Sequence, residues 1–377
     1  MDRSPLCAAS SPGKAAAGYS GAILTRAALP KSKSLDAVTV AEPRAKGNVE
    51  PLVRLAARDM ATVDALILDR MQSEVPVIPL LAEHLISAGG KRLRPMLTVA
   101  AARASRASRD SSTGDITAAV KLAAAVEFIH TATLLHDDVV DSSNLRRGKV
   151  AAHLIWGAPS SVLVGDFLFA RAFELMVETG QMRALGILAR ASSVIAEGEV
   201  LQLTRAHDLN LDQDTYLRII SAKTAELFAA AAEAGAVGAG ADERSVEALR
   251  VFGLNLGLAF QLADDALDYG GTSEVLGKNA GDDFREGKVT LPLLLAAART
   301  RGREDAFWDR TINKGQRTEE DFRRARELVL GTGAIGATLD VAGDYADAAK
   351  AALQRLPAGE WRAALAQLAD FAVSRAA

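Results

Sequence analysis

Two aspartate clusters, far apart in the chain and each closing an apolar stretch, limit what these 377 residues can fold into more than any other feature. The first is Leu134-Leu135-His136-Asp137-Asp138-Val139-Val140-Asp141; the second is Gln261-Leu262-Ala263-Asp264-Asp265-Ala266-Leu267-Asp268. Both read D-D-x-x-D, 127 positions apart. Residues four apart on an α-helix share a side, about 40° off register and ~6 Å along the axis. Asp137 therefore points with Asp141, and Asp264 with Asp268. Carboxylates stacked in this way repel one another and weaken an isolated helix. A solvated acidic face would explain one such cluster. Two copies after apolar helical runs point instead to a shared site for a hard cation, because Mg²⁺ is held by carboxylates together with substrate phosphates.

The hydrophobic content of 49% fills a large core, and no polar linker interrupts residues 49–377, so they read as one large domain. Aromatic residues make up only 5% while alanine and leucine abound, which favours close-packed helices over sheets and an all-α fold. A net charge of -3 argues against a nucleic-acid surface. Cys7 is the single cysteine, which excludes a disulfide framework and a cysteine-based metal centre. No apolar run approaches the ~18 residues of a membrane-spanning helix.

Residues 1–48 differ from the rest: rich in Ala, Ser, Pro and Lys/Arg, without a sustained amphipathic period. Up to Ser34 the charges are Arg3, Lys14, Arg26, Lys31 and Lys33 against Asp2. A disordered extension and an organelle transit peptide both fit. The first implies a cytoplasmic location, the second a mitochondrion or plastid.

From Pro51 the helical pattern begins, with Leu52, Leu55, Met60, Val63, Leu66, Ile67 and Met71 at three- and four-residue steps. A segment over Ile78–Ala88 stops at Gly89-Gly90. Lys91, Arg92 and Arg94 then stand beside a helix opened by Pro95, an arrangement that suits an anion as well as a plain basic loop. A long apolar helix is predicted over 117–141, followed by a turn and by Arg146, Arg147 and Lys149. Those cations can pair with the aspartates; equally, a metal–diphosphate site uses carboxylates for the metal and cations for the remaining phosphate charge. Further helices are predicted at 165–177, 183–207, 212–240 (carrying Lys223-Thr224) and 243–269, with no strand-period segment. Gly270-Gly271, Gly277-Lys278, Gly281 and Gly287-Lys288 then suggest a mobile lid whose two lysines fold over phosphate. Leu291-Pro292-Leu293 restarts the helical core.

Taken in order, G-G-K-R-L-R-P (89–95), L-L-H-D-D-V-V-D (134–141), R-R-G (146–148), K-T (223–224), F-Q-L-A-D-D-A-L-D (260–268) and G-D-D-F-R-E-G-K-V-T-L-P (281–292) resemble the trans-polyprenyl diphosphate synthases over residues 50–377. The resemblance implies a single helical bundle around a central cavity, usually homodimeric, with the two clusters facing each other. It implies that Asp137, Asp141, Asp264 and Asp268 bind two or three Mg²⁺ ions and through them an allylic diphosphate, farnesyl or geranylgeranyl. Asp138 and Asp265 complete the catalytic clusters. Arg146, Lys223, Thr224, Gln261, Lys278 and Lys288 would meet the allylic diphosphate, Gln261 near the reacting allyl group. Lys91, Arg94, His130 and Arg147 match the isopentenyl diphosphate site. The implied product is a long all-trans chain, decaprenyl favoured, of the kind that becomes a ubiquinone tail and leaves by peripheral contact with a membrane.

Three other readings compete. A terpene cyclase or head-to-head coupling enzyme shares the fold, but cyclases usually replace the second cluster, which here is D-D-A-L-D. A helical metal phosphohydrolase built on His136-Asp137 needs further histidines, and only His84, His130, His153 and His207 remain; His136 reads better as a packing residue. A non-catalytic partner subunit of a heteromeric synthase would lose aspartates that this chain keeps. Product length should depend on the stripe Ile129, Ala132, Thr133, His136. Ala132 and Thr133, ~6–7.5 Å below Asp137, are small enough to leave a tunnel floor open.

Overall fold

A computed structural model describes residues 46–87, 92–106, 115–146, 148–271 and 281–376. Helices α1 (Glu50–Arg70), α2 (Val77–Ser87) and α3 (Leu93–Arg106) lead into α4 (Thr117–Val140). A two-residue hairpin follows, β1 (Leu145–Arg146) with β2 (Lys149–Val150), then α5 (Ala152–Trp156), α6 (Ala158–Glu178) and α7 (Met182–Thr204). Next come α8 (Gln213–Ile220), a π-helical turn (Ser221–Ala225), α9 (Glu226–Gly238) and α10 (Glu243–Gly270). The chain finishes with α11 (Asp282–Glu286), α12 (Leu291–Arg299), α13 (Asp305–Trp308), a second π turn (Asp309–Asn313), α14 (Glu319–Gly331), α15 (Ala334–Leu353) and α16 (Glu360–Ser374). The fold is all-α, as its composition predicts. Of the extension over residues 1–48, residues 1–45 lie outside the described residues. The Gly47 N–H donates to Ser374 Oγ on α16 at 3.1 Å.

The centre is built by α4 and α10. In α4, Leu122 to Ile129 form an unbroken buried run, so the helix is apolar nearly all round rather than along one stripe. Helix α4 packs on α3, α6 and α9, and α10 on α9, α15 and α16. Both helices pass the length and composition test for a membrane span, a test that buried core helices also meet. In the fold the apolar windows are 72% and 67% buried, as befits core helices.

Starts are set locally. Asp212 caps α8 by accepting from Thr215 N (2.7 Å), and Asp242 caps α10 by accepting from Ser245 N (2.7 Å). The segment expected to be one helix over 212–240 is interrupted by the π turn at Ser221–Ala225, which holds Lys223 and Thr224. Two neighbours approach that turn closely. A Cβ on Gly198 of α7 would stand 2.7 Å from Ala222 Cβ, and one on Gly257 of α10 would stand 2.5 Å from Ala225 Cα. Insertion of an extra residue into a helical turn re-aims the side chains it carries. The hairpin, too short for any strand period, was likewise absent from the sequence expectation; it carries Arg146 back beside α4.

Candidate active site

The first cluster occupies the last turn of α4, where the helix dipole disfavours negative charge. Each aspartate there faces a cation from another element. Asp138, buried on the protein side, accepts from Arg146 through Nε (2.8 Å) and Nη2, while its Oδ2 has no hydrogen-bond partner. Asp137 stands 3.7 Å from Lys223 Nζ, and Lys223 in turn lies 2.7 Å from Glu199 on α7. Asp141 takes Lys288 Nζ at 2.7 Å, and Glu286 takes the same ammonium at 2.6 Å. Burial pushes Asp138, Glu199 and Glu286 upward, and Arg146, Lys223 and Lys288 respectively oppose it. Burial lowers Lys288, but Glu286, Asp141 and Asp283 outweigh it and raise its pKa.

The second cluster sits near the end of α10. Asp264, its exposed member, pairs with Arg375 from the segment after α16 (2.7 Å), whose guanidinium also lies 3.8 Å from the centre of the Phe260 ring. Asp265 and Asp268 are buried. Asp268 Oδ2 accepts from the Asp283 N–H at 3.2 Å, and its carbonyl accepts from Gly281 N at 3.0 Å. This anchors α11, which Gly281 and Gly287 bound in left-handed conformations, φ 86° and 75°. The described part of the expected mobile lid is therefore an ordered turn of helix, tied to α10 at one end and delivering Lys288 at the other. Lys278 lies outside the described residues, as do Lys91 and Arg147.

A cavity of about 320 Å³ separates the two clusters. Asp141, Lys223 and Lys288 line it from one side, Gln261, Asp265 and Asp283 from the other, and Tyr216 and Thr224 contribute to the wall. Thr224 Oγ1 donates to Gln261 Oε1 (2.7 Å), and Gln261 Nε2 donates to Asp265 Oδ1 (2.8 Å). Burial pushes Asp265 up to about 8, with Asp283 adding to the rise. Arg94 and His130 come together elsewhere, with Arg94 Nη1 at 3.1 Å from His130 Nε2 and the guanidinium over the Phe228 ring. Ala132 is fully buried and Thr133 partly so, its hydroxyl donating to His130 O; neither lines the cavity. His136 packs against α6, Nε2 at 3.1 Å from Val162 O.

Expectation and structure part at the metal. Among the described residues no three acidic, His or Cys side chains converge closely enough to enclose an ion. Asp264 and Asp268 do not act as a stacked pair: one holds Arg375 and the other holds α11. The donor set still fits a hard divalent cation, since Asp137 and Asp141 are oxygen ligands one turn apart at the end of α4 and Asp141 lines the cavity. Glu199, Tyr216, Glu286 and Arg375 escaped the sequence reading. Glu286 lies in the charged G-D-D-F-R-E-G-K stretch without being singled out there, whereas Glu199, Tyr216 and Arg375 belong to no repeated or charge-dense motif, and only the tertiary fold brings them to the clusters.

Residues 75–329 match the family model described as "Polyprenyl synthetase". The chain is 45% identical to the octaprenyl diphosphate synthase of Escherichia coli (strain K12), across 87% of this chain and 99% of that protein. It is 72% identical, with a TM-score of 0.85, to a polyprenyl synthase of Caulobacter crescentus solved with calcium and isoprenyl diphosphate, covering 89% of this chain and 100% of that one. A decaprenyl diphosphate synthase from Rhodobacter capsulatus is 52% identical, with a TM-score of 0.81, over 88% and 100% of the two chains. Fold and site thus define an all-α isoprenyl synthase. The chain belongs to the polyprenyl synthetase family, among the long-chain trans-polyprenyl diphosphate synthases, and is a trans-prenyltransferase.

Proposed function

We propose that the enzyme condenses isopentenyl diphosphate with farnesyl or geranylgeranyl diphosphate in an Mg²⁺-dependent reaction. Repeated condensation extends the chain to about eight to ten isoprene units, decaprenyl favoured, for a ubiquinone side chain; two relatives are named for octaprenyl and decaprenyl products. The observation that carries this reading is the pairing of carboxylates with the two lysines that line the cavity: Asp141 with Lys288, and Asp137 and Glu199 with Lys223. Asp137 and Asp141 would hold Mg²⁺, and Lys223 and Lys288 would meet the oxygens of the diphosphate.

When bound, Mg²⁺ supplies neutralisation of the charge that gathers on the departing diphosphate. Lys223, Lys288 and Arg146 add fixed positive charge around the same oxygens, and the low dielectric of the cavity strengthens their effect. As the C1–O bond of the allylic substrate breaks, the double bond of isopentenyl diphosphate forms a carbon–carbon bond to C1. Loss of a proton, for which the released diphosphate is a sufficient base, regenerates an allylic diphosphate one unit longer. Arg94 and His130 hold the isopentenyl diphosphate, and Gln261 faces the reacting carbon. A second copy of the chain is the expected partner, since α6 and α7 leave Leu163, Val177, Met182 and Val200 exposed.

Purified protein incubated with Mg²⁺, farnesyl diphosphate and labelled isopentenyl diphosphate tests the reading. Chromatography of the dephosphorylated product should show chains of about eight to ten units, the lengths in the relatives' names. Hydrolysis of the primer without condensation would favour the phosphohydrolase, a cyclic or coupled product the cyclase reading, and no reaction a non-catalytic subunit.

A further inference from the structure

Behind Gln261 a buried polar chain crosses three elements. Tyr216 of α8 donates its hydroxyl to Asp265 Oδ2 on α10 at 2.5 Å. Asp265 Oδ1 accepts from Gln261 Nε2, one turn earlier on the same helix, and Gln261 Oε1 accepts from Thr224 in the π turn. Tyr216 is almost completely buried, and burial together with the nearby Asp265 raises its pKa well above the usual phenol range, so it remains a donor. The two ends of an amide have nearly the same shape, and only hydrogen-bond partners decide which atom points where. Here Thr224 gives its proton to the carbonyl oxygen, and the NH₂ is left to donate to Asp265 Oδ1.

We propose that Tyr216 is a positioning residue for prenyl transfer, holding Asp265 so that the Gln261 amide keeps one orientation at the cavity wall. The inference rests on the prenyltransferase reading and adds a residue outside both aspartate motifs. Its logic is steric as well as polar. With Oδ2 held by the phenol, Asp265 cannot turn away, and Oδ1 stays aimed at Gln261. Without the phenol, a buried carboxyl oxygen loses its donor, a loss that structures relieve by rotating the group. That rotation releases the amide. Thr224 alone does not restore it, because a hydroxyl accepts as readily as it donates and tolerates both amide orientations.

A purely structural role for Tyr216, anchoring the eight-residue helix α8, predicts different behaviour. Loosening α8 would disturb the neighbouring Lys223 turn and weaken diphosphate binding. Loss of amide orientation instead slows the chemical step and leaves binding to the lysines intact. The test is a double-mutant cycle of Tyr216→Phe and Gln261→Met, assayed with Mg²⁺, farnesyl diphosphate and isopentenyl diphosphate at one condensation. Each single change should lower kcat about tenfold or more while both KM values stay within about threefold. The double variant should be no slower than Gln261→Met alone. An unchanged kcat in Tyr216→Phe, a rise in KM without loss of kcat, or effects that multiply in the double variant would overturn the proposal. If Tyr216→Phe does not accumulate as folded protein, Tyr216→His, which keeps a ring and a donor, takes its place in the same cycle and is judged by the same criteria. A wild-type enzyme that forms no condensation product refutes the functional reading itself. In that case the side-chain amide resonances of ¹⁵N-labelled Gln261 still decide the placement, since they should move in Tyr216→Phe and stay put if the phenol does not orient the amide.

Discussion

Lys288 Nζ lies 2.7 Å from Asp141 Oδ2, joining residues 147 positions apart across the mouth of the cavity. One comes from the C-terminal turn of α4 and the other from the residue after Gly287, so this contact closes the lid segment onto the first aspartate cluster. Glu286 shares the ammonium, which makes Lys288 the counter-charge for two carboxylates at once.

Lys288→Ala should therefore act on binding and on stability together. The KM for the allylic diphosphate is expected to rise about tenfold or more, because a charge-assisted contact is lost. With Asp141 and Glu286 left uncompensated, the protein should lose about 1–3 kcal/mol. Steady-state kinetics and urea unfolding at neutral pH measure the two effects. Lys288→Arg, which keeps the charge, should recover most of the stability.

Asp137→Ala and Asp264→Ala should leave the fold intact and remove activity. Their partners Lys223 and Arg375 are partly exposed, so each truncation should cost about 1 kcal/mol or less in the metal-free protein. Turnover should fall about a hundredfold or more, with loss of the charge arrangement that stabilises the departing diphosphate. Near wild-type turnover in either variant, with an unchanged circular dichroism spectrum, would remove that aspartate from the catalytic set.

Ala132→Phe tests product length. The side chain is fully buried one turn below Asp137, so a phenyl ring must displace neighbours, at a cost of about 1–3 kcal/mol. If the growing tail passes this level of α4, elongation should stop about one helical turn, ~5–8 Å, beyond the metal cluster, giving chains of roughly three to five units. Product chromatography reads the outcome directly. Parental length in an active variant would place the tunnel elsewhere.

Acid should weaken the link that Glu178 makes between the N-terminal helices. This carboxylate joins Arg70 at the end of α1 to Lys121 near the start of α4, and those two hydrogen bonds hold its pKa down at about 2. A depressed carboxylate contributes stability above its unfolded value and loses it as pH falls through the folded one. The window runs from about 4.5 down to about 2. The group is one-third exposed, so its share is about 1 kcal/mol or less. Thermal midpoints of Glu178→Gln and wild type should differ at pH 6 and converge toward pH 2.

Much of this protein is legible locally. Helix α4 is visible because an apolar period runs without a break to Asp141, and α10 because Asp242 caps a pattern that continues to the second cluster. The aspartates stand out because four-residue spacing is a property of a single helix. Lys223-Thr224 could be placed on a helix, but not on a π turn. That turn accompanies contacts with Gly198 and Gly257, which lie in other helices. Arg146 looked like a phosphate ligand from its neighbours in sequence; in the fold its first partner is Asp138, because the hairpin turns it back on α4.

The chain's own periodicity and spacing thus account for the all-α class, the helix order and the carboxylates that could meet a metal, all set by interactions within one helix or its caps. Which carboxylate faces which cation was decided by packing. Lys288 reaches Asp141, Arg375 covers Asp264, Asp268 secures α11 rather than stacking with Asp264, and Tyr216 stands behind Gln261. Pairing around a cavity depends on distances of a few ångströms between segments 15 to 147 residues apart. No local pattern encodes those distances; they exist only after the helices have packed.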